Sequence, residues 1–411
     1  MQQVVRALDE SRCCSIRNQQ FAIENEPCRR MRVLHVTPHL PPDQAANALL
    51  PAQLGEWARQ AGDSVEYVAH PPRAQGGAAL PGPVAWVPRR NDGVLGRTTG
   101  FGTLAAGLRS YRALRHAIAR AEVVHAHSNG LLSELAVLLA RRQHKPVVLT
   151  LYGTEIWHYE PKKPGPDLFT RAYQEASAVT FYSERLLARA NELRLTRRGM
   201  HAIYPSVGAA FRYHTVADQL EARSALGITA RHLLVNVKRL HPLAGHRDLL
   251  EAMNEVIRTH PDIRLIICGT GALLDELKAA ARSAGVERHV TFAGLVDNPT
   301  VARYCAAADL FVLPSLLEAL PTVAVEALAV GTPVVSTDNP GGVELNEIFG
   351  QDVAIVPREQ PLALARVITD FLDEKRRALP ATREIIDRDF RPAAVAAKYR
   401  ALYDALLAGP A

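Results

Sequence analysis

Asp309-Leu-Phe-Val-Leu-Pro-Ser-Leu-Leu-Glu-Ala-Leu-Pro-Thr-Val-Ala-Val-Glu-Ala-Leu-Ala-Val-Gly-Thr-Pro-Val-Val-Ser-Thr337 reads as strand, loop, helix and strand in immediate succession. The apolar run 309–313 predicts a buried strand that ends at Pro314. Glu318 then falls in a loop, and a helix is expected to open near Pro321, where proline's missing N–H is not needed. The amides of Thr322 and Val323 would point out of that helix N-terminus, a natural seat for phosphate oxygens. Glu318 and Glu326 are separated by seven residues. Glu326 stands among Val323, Ala324, Val325, Ala327 and Leu328, where an idle charge would be costly. Two carboxylates at one helix start suit the hydroxyls of a sugar or ribose.

Outward from this unit the same alternation repeats. Strand candidates at 232–237, 263–268, 289–293, 333–336 and 352–356 interleave with helices at 246–259, 272–284, 300–307 and 322–329. Upstream, strands at 32–37, 64–69, 84–87, 122–126, 146–151, 178–183 and 201–204 interleave with helices at 47–61, 103–120, 131–143 and 184–193. Strand and helix in this order imply parallel, doubly wound sheets. The expected architecture is α/β, with two Rossmann-like domains facing across a cleft. The expected boundaries are 31–212 and 213–391, with a last helix in 392–411 as the candidate crossover back to the first domain. Residues 1–30 lack periodicity and an apolar h-region, so they are read as a disordered extension or a misassigned start.

Composition narrows the function. The 411 residues exceed one core, and 48% apolar with 22% charged residues is ordinary for a globular chain. The net charge of +6 is too mild to imply nucleic acid. Its distribution is uneven: 22 basic against 13 acidic residues over 31–212, and 21 against 25 over 213–411. Five cysteines without a CxxC argue for a reducing compartment and against a zinc site. No apolar stretch reaches membrane-spanning length. Gly269-Thr270-Gly271 lacks the third glycine of a dinucleotide fingerprint, and there is no P-loop.

The ordered set of motifs resembles the retaining family-4 glycosyltransferases of the GT-B fold. Glu318 to Glu326 resembles their Glu-x7-Glu element. Val235 to Leu240 resembles the strand ending in a donor-binding arginine, Leu265 to Gly271 the next glycine turn, and Val290 to Val296 the strand and loop that meet the base. Asp338 to Glu344, with Gly341 and Gly342, resembles a glycine-containing loop. Met31 to Pro38 resembles the opening strand, Val124 to His127 the strand bearing an active-site histidine, and Tyr152 to Glu155 a loop usually written His-Gly-Thr-Asp. The resemblance covers about 31–405.

The resemblance implies a role for each matching residue. Arg239 would bind the donor diphosphate, Glu326 the ribose, Glu318 the transferred sugar, and Val296 the base through its backbone. Gly269, Thr322 and Val323 would complete the donor site, and His127 would approach the sugar from the other wall. It implies a UDP- or GDP-sugar donor, a saccharide or lipid-linked acceptor, no tightly bound cofactor and no metal. It also implies transfer with retention in envelope polysaccharide or glycolipid synthesis, in the cytoplasm or at the inner face of the membrane.

Three departures stand out. The lysine usually found five residues after the arginine is Ala244, a loss on the order of 2–4 kcal/mol at a leaving group; Lys238, His246 and Arg247 are the candidate substitutes. The first loop carries Ala45, Ala46 and Asn47 where glycines are usual, and Tyr152 replaces a histidine. These departures motivate two alternatives: a sugar-nucleotide-binding partner subunit, and a nucleotide-sugar 2-epimerase on the same fold. A phosphorylase would need a pyridoxal-bearing lysine that the sequence does not identify.

One stretch stays outside these motifs. Residues 86–120 hold seven arginines against Asp92 alone, with apolar residues interleaved. The stretch reads either as a domain helix with a solvated basic face or as a surface for an anionic membrane or lipid-diphosphate acceptor. No nucleic-acid-binding module accompanies it.

Overall fold

The computed structural model describes residues 30–43, 46–73, 77, 79–89, 101–160 and 167–409, with the backbone alone for 101–106. The expectation for 1–29 therefore lies outside the described residues, as do Ala45 and most of 86–100.

The first sheet comprises β1 (Arg32–Thr37), β2 (Ser64–Ala69), β3 (Val84–Trp86), β4 (Val123–His127), β5 (Val147–Leu151), β6 (Ala178–Phe181) and β7 (Met200–Ala202). The second comprises β8 (His232–Val237), β9 (Ile263–Cys268), β10 (Val290–Gly294), β11 (Leu310–Leu313), β12 (Val334–Thr337) and β13 (Val353–Val356). Their orders are β3-β2-β1-β4-β5-β6-β7 and β10-β9-β8-β11-β12-β13. Every pairing is parallel. Two Rossmann-like α/β sheets are thus present, as the alternation predicts. Their central strands are buried on both faces: every residue of β4, β5, β6, β11 and β12 is inaccessible. That explains the near-continuous Val, Leu and Ile runs of the sequence.

In sheets of this kind ligands bind beyond the carboxyl ends of the strands, where the order reverses. The reversals lie between β1 and β4 and between β8 and β11. The second brings the residues after Val237 beside those after Leu313.

The helix Pro392–Ala408 follows the second sheet in sequence but packs on the first. Its Val395, Tyr399 and Tyr403 are buried with Met31, Val33, Leu50 and Leu54. Arg400 reaches Asp63 at 2.7 Å on the same side.

Sequence periodicity misses several helices. Thr154–Trp157, Leu168–Glu175 and Val216–Ala225 are short or capped by side chains rather than marked by a long apolar stripe. The last starts from a capping box between Thr215 and Asp218, just after the expected boundary at 212/213. The glycine-containing loop expected over Asp338–Glu344 is corrected as well: Pro340–Phe349 is a helix, with the Asn339 side chain accepting the Gly342 N–H at 3.0 Å. Glycine is tolerated there because the backbone is crowded. A Cβ on Gly341 would stand 2.5 Å from the Ala319 carbonyl oxygen, and one on Gly342 2.1 Å from that of Thr337.

Candidate active site

A cleft of about 650 Å³ opens between the carboxyl ends of the two sheets. Its floor begins where β8 ends. The Lys238 N–H donates to the Cys268 carbonyl at 3.0 Å, and that of Leu240 to Thr270 at 3.0 Å, so the parallel ladder runs on past the strand. Two glycines permit this. Gly269 has φ +146°, and a Cβ on it would stand 2.1 Å from the Lys238 carbonyl oxygen; one on Gly271 would be equally close to that of Leu240. The glycine turn is thus a backbone-to-backbone contact that fixes the start of Lys238 and Arg239.

Beyond β11 the chain turns through Pro314 and Glu318 into the helix Thr322–Ala329. Pro321 is the cap of that helix, one position earlier than expected, and its carbonyl accepts the Ala324 N–H at 3.0 Å. The amides of Thr322 and Val323 belong to the first turn and have no intrahelical acceptor. Lys238, Arg239, Gly269, Val296, Glu318, Thr322, Val323 and Glu326 all line the cleft. Residues spread over almost ninety positions therefore share one wall.

The two glutamates differ in their surroundings. Glu318 is ion-paired with the ammonium of Lys238. Glu326 is partly buried beside Cys268 and Cys305, and burial pushes its carboxyl up to about 8. A carboxyl so placed keeps its proton at neutral pH, and as a neutral group it can both donate to and accept from hydroxyl groups.

The candidate phosphate substitutes separate cleanly. Ala244 is fully buried in the turn Pro242–Ala244. His246 is 2% exposed, and its Nε2 lies 3.1 Å from the Asn236 side-chain oxygen; burial lowers it to about 4. The exposed Arg247 pairs with Glu276. Neither His246 nor Arg247 lines the cleft, whereas Lys238 does.

The opposite wall is formed by Ala46, Leu49, Leu50 and Gln53 of the helix Ala46–Gln60, and by Tyr182. Of the first-loop residues, Ala46 lines the cleft, Ala45 lies outside the described residues, and Asn47 accepts the Thr37 hydroxyl at its carbonyl, 2.6 Å away. Gln53 meets the Ser206 hydroxyl at 2.5 Å, which ties this helix to the segment joining the two sheets. Gln53, Ser206 and Tyr182 carry no motif, and nothing in the sequence pattern singles them out.

His127 does not stand where the sequence expectation puts it. It is fully buried behind the wall, with Nε2 3.0 Å from His35 Nδ1 and Nδ1 2.8 Å from the Tyr152 hydroxyl. Tyr152 in turn packs edge-on against Tyr182, which does line the cleft. The register explains the cluster. His35 pairs with His125 across β1 and β4, and His127 follows two residues on, so all three rings share one face. Their candidate ligand nitrogens lie within 4.8 Å of one another, a grouping the sequence spacing hides. Five of the six ring nitrogens already have partners, since His125 also meets the Tyr403 hydroxyl and the Thr150 hydroxyl at 2.6 Å each. Burial lowers His35 to about 3 and the other two well below the usual imidazole range. The arrangement is a neutral hydrogen-bond network that ties the C-terminal helix to the first sheet.

Comparison with known proteins identifies the family and the fold. The family model described as "Glycosyl transferases group 1" matches residues 218–387, and that described as "Glycosyltransferase Family 4" matches 52–210. TuaC of Bacillus subtilis (strain 168), named for glycosyl transfer in teichuronic acid biosynthesis, is 32% identical over 62% of this chain and 62% of its own length. The chain thus spans less than two thirds of that relative. A glycogen synthase of Mycobacterium tuberculosis (strain ATCC 25618 / H37Rv) is 30% identical over 71% of this chain and 70% of its own. The crystal structure of HepE from Anabaena in complex with UDP and glucose shares the fold, with a TM-score of 0.71 at 18% identity over 92% of this chain and 100% of that one.

Proposed function

The chain belongs to the group 1 glycosyl transferases of glycosyltransferase family 4, and from that premise we propose that it moves a sugar from a UDP- or GDP-sugar to a saccharide or lipid-linked acceptor with retention. The observation that carries the reading is the single cleft wall shared by Arg239, Glu318, Glu326 and the first turn of the helix Thr322–Ala329. Guanidinium and helix amides together suit a diphosphate, with paired donors and the positive end of a helix dipole. Glu326 holds the ribose hydroxyls, Glu318 those of the sugar, and the backbone at Val296 meets the base, with Gly269 allowing the turn between them.

In the transfer step the bond from the sugar C1 to the diphosphate oxygen breaks, and its electron pair stays on that oxygen. The acceptor hydroxyl oxygen bonds to C1 from the same face, and its proton passes to the departing phosphate. Catalysis then rests on neutralising that phosphate in a site from which water is excluded. His127 acts by positioning, since its Nδ1 orients the Tyr152 hydroxyl behind Tyr182. The roles assigned to these residues need no metal ion. The naming of TuaC for teichuronic acid biosynthesis supports bacterial envelope polysaccharide or glycolipid synthesis as the setting. Among the described residues no helix is long and apolar enough to cross a membrane. In this reading, contact with a lipid-linked acceptor falls to the exposed Arg109, Arg112 and Arg115 of the helix Phe101–Arg120.

The test is a panel of UDP-, GDP- and ADP-sugars, scored for binding and for transfer to crude lipid and saccharide acceptors. One donor should bind and turn over, and Glu326→Ala should weaken its binding by about tenfold, the scale of a hydrogen bond lost from a buried partner. Binding without turnover would favour the partner-subunit reading. Unchanged donor affinity in Glu326→Ala would remove the ribose assignment.

A further inference from the structure

Lys238 and Arg239 follow β8 in direct succession, and the structure gives them different partners. The Lys238 ammonium is ion-paired with Glu318, a carboxylate 80 residues away on the loop after β11. Arg239 is exposed and makes no ion pair among the described residues. The lysine and glutamate side chains are only 22% and 12% exposed, yet both line the cleft. An ion pair drawn this far out of water adds little to stability, because desolvation offsets the attraction. Its position on the cleft wall therefore calls for another account.

The geometry narrows the account further. The Lys238 backbone is fixed on both sides, by its N–H bond to Cys268 and by the close approach of Gly269 to its carbonyl. The side chain leaves that fixed point on a flexible four-carbon stem, and its ammonium is a point charge that can donate in three directions. Such a group can change partner where a guanidinium locked in a planar fork would not. Of the other basic side chains that follow β8, His246 and Arg247 are committed elsewhere.

We propose that Lys238 is a second diphosphate-binding residue that exchanges Glu318 for the departing phosphate of the donor, leaving Glu318 to accept the hydroxyls of the sugar. The inference rests on the donor reading above. The charges favour the exchange. While Lys238 and Glu318 are paired they cancel, and Arg239 alone faces the cleft. A diphosphate then draws the ammonium away, so two cations meet the phosphates and the carboxylate is left with neutral hydroxyls. As the C1–oxygen bond breaks, the ammonium stands where negative charge grows on the phosphate. No proton leaves the lysine.

Calorimetry on the full chain with UDP, GDP, UMP and GMP as probes tests the exchange. Wild type should bind one diphosphate more tightly than its monophosphate. Lys238→Gln should lose about tenfold or more of the diphosphate affinity while the monophosphate moves less than about twofold, the latter reporting that the nucleoside site is intact. Glu318→Gln should gain about threefold or more for the diphosphate, since nothing then holds the lysine back. If Lys238→Gln weakens both nucleotides alike or neither, or if Glu318→Gln weakens the diphosphate, the exchange is refuted and the donor reading stands. If wild type binds neither diphosphate, the donor reading falls and the exchange with it.

Discussion

The Glu344 carboxylate, on the second sheet's side of the molecule, accepts the backbone N–H of Glu184, on the first sheet's side, at 2.7 Å. Its other oxygen takes the Arg185 N–H at 3.1 Å, so one side chain satisfies two first-turn amides of the helix Glu184–Glu192. Glu344 is 2% exposed, and burial raises its carboxyl above the usual range despite those bonds. The neighbouring pair between Arg185 and Glu347 lies in water. Glu344→Ala should therefore destabilise the chain by about 2–4 kcal/mol, since it strands two amides at once. Glu347→Ala should stay within about 0.5 kcal/mol. Urea unfolding of both variants checks this, and equal effects would remove Glu344 as the tie between the two halves.

Glu326 makes stability depend on pH in an unusual direction. Its carboxyl titrates near 4.5 in an unfolded chain and near 8 in the folded one. Between those values the native state holds the extra proton, so stability falls as pH rises, by up to about 1.4 kcal/mol per unit. Glu326→Gln removes the titrating group. The variant should melt at the wild-type temperature near pH 4.5 and above it at pH 8.5. Thermal melts across that range decide the matter; parallel curves would mean that the carboxyl ionises normally. The residue proposed to hold ribose is thus kept at a cost to the fold, as expected of a site group rather than a core group.

Most of this architecture is legible in the sequence because the buried strands are uniform. Val147-Val-Leu-Thr-Leu151 can hardly be anything but a strand covered on both faces, and the run 232–237 is recovered with its bounds intact. The wall proposed to hold the donor is legible for a different reason: its residues sit at strand ends and at one helix start, positions marked by Pro321 and by Gly269. What is hidden depends on partners remote in sequence. His127 looks like an exposed strand-end group until β1 brings His35 within 3.0 Å of it. Tyr182 and Gln53 enter the cleft only through the relative placement of the two sheets, which no local spacing encodes. The helix Pro340–Phe349 escapes notice because Pro340-Gly341-Gly342 is poor helix former chemistry, overridden by the Asn339 cap and by tight packing on Ala319 and Thr337.

Gly269 offers a direct check on how the cleft floor is held. Alanine there is strained twice, by φ +146° and by a Cβ 2.1 Å from the Lys238 carbonyl oxygen. The expected loss is on the order of 2–3 kcal/mol, with weaker binding of UDP or GDP as the strand end shifts. Gly227 has φ +65° with nothing within 4 Å of an added Cβ. Gly227→Ala should cost only about 1 kcal/mol and leave nucleotide binding unchanged. Matching losses for the two variants would show that conformation alone, and not the close approach to Lys238, makes glycine necessary at 269.

The helix Phe101–Arg120 carries the last prediction. Its Leu114, Ala117 and Ile118 are buried in the first sheet's core, which accounts for its apolar side. Its outer side is not simply polar: Leu108 is 50% and Tyr111 37% exposed, among the exposed Arg109, Arg112 and Arg115. Those three arginines make no ion pair among the described residues. Apolar groups flanked by free cations match an anionic lipid surface, where each basic residue near the headgroups contributes about 1 kcal/mol. Wild type should sediment with phosphatidylglycerol vesicles at low salt and less so at high salt. Replacing Arg109, Arg112 and Arg115 with Gln should cut binding by about a hundredfold. Equal sedimentation of the two proteins would leave these arginines as a solvated helix face and nothing more.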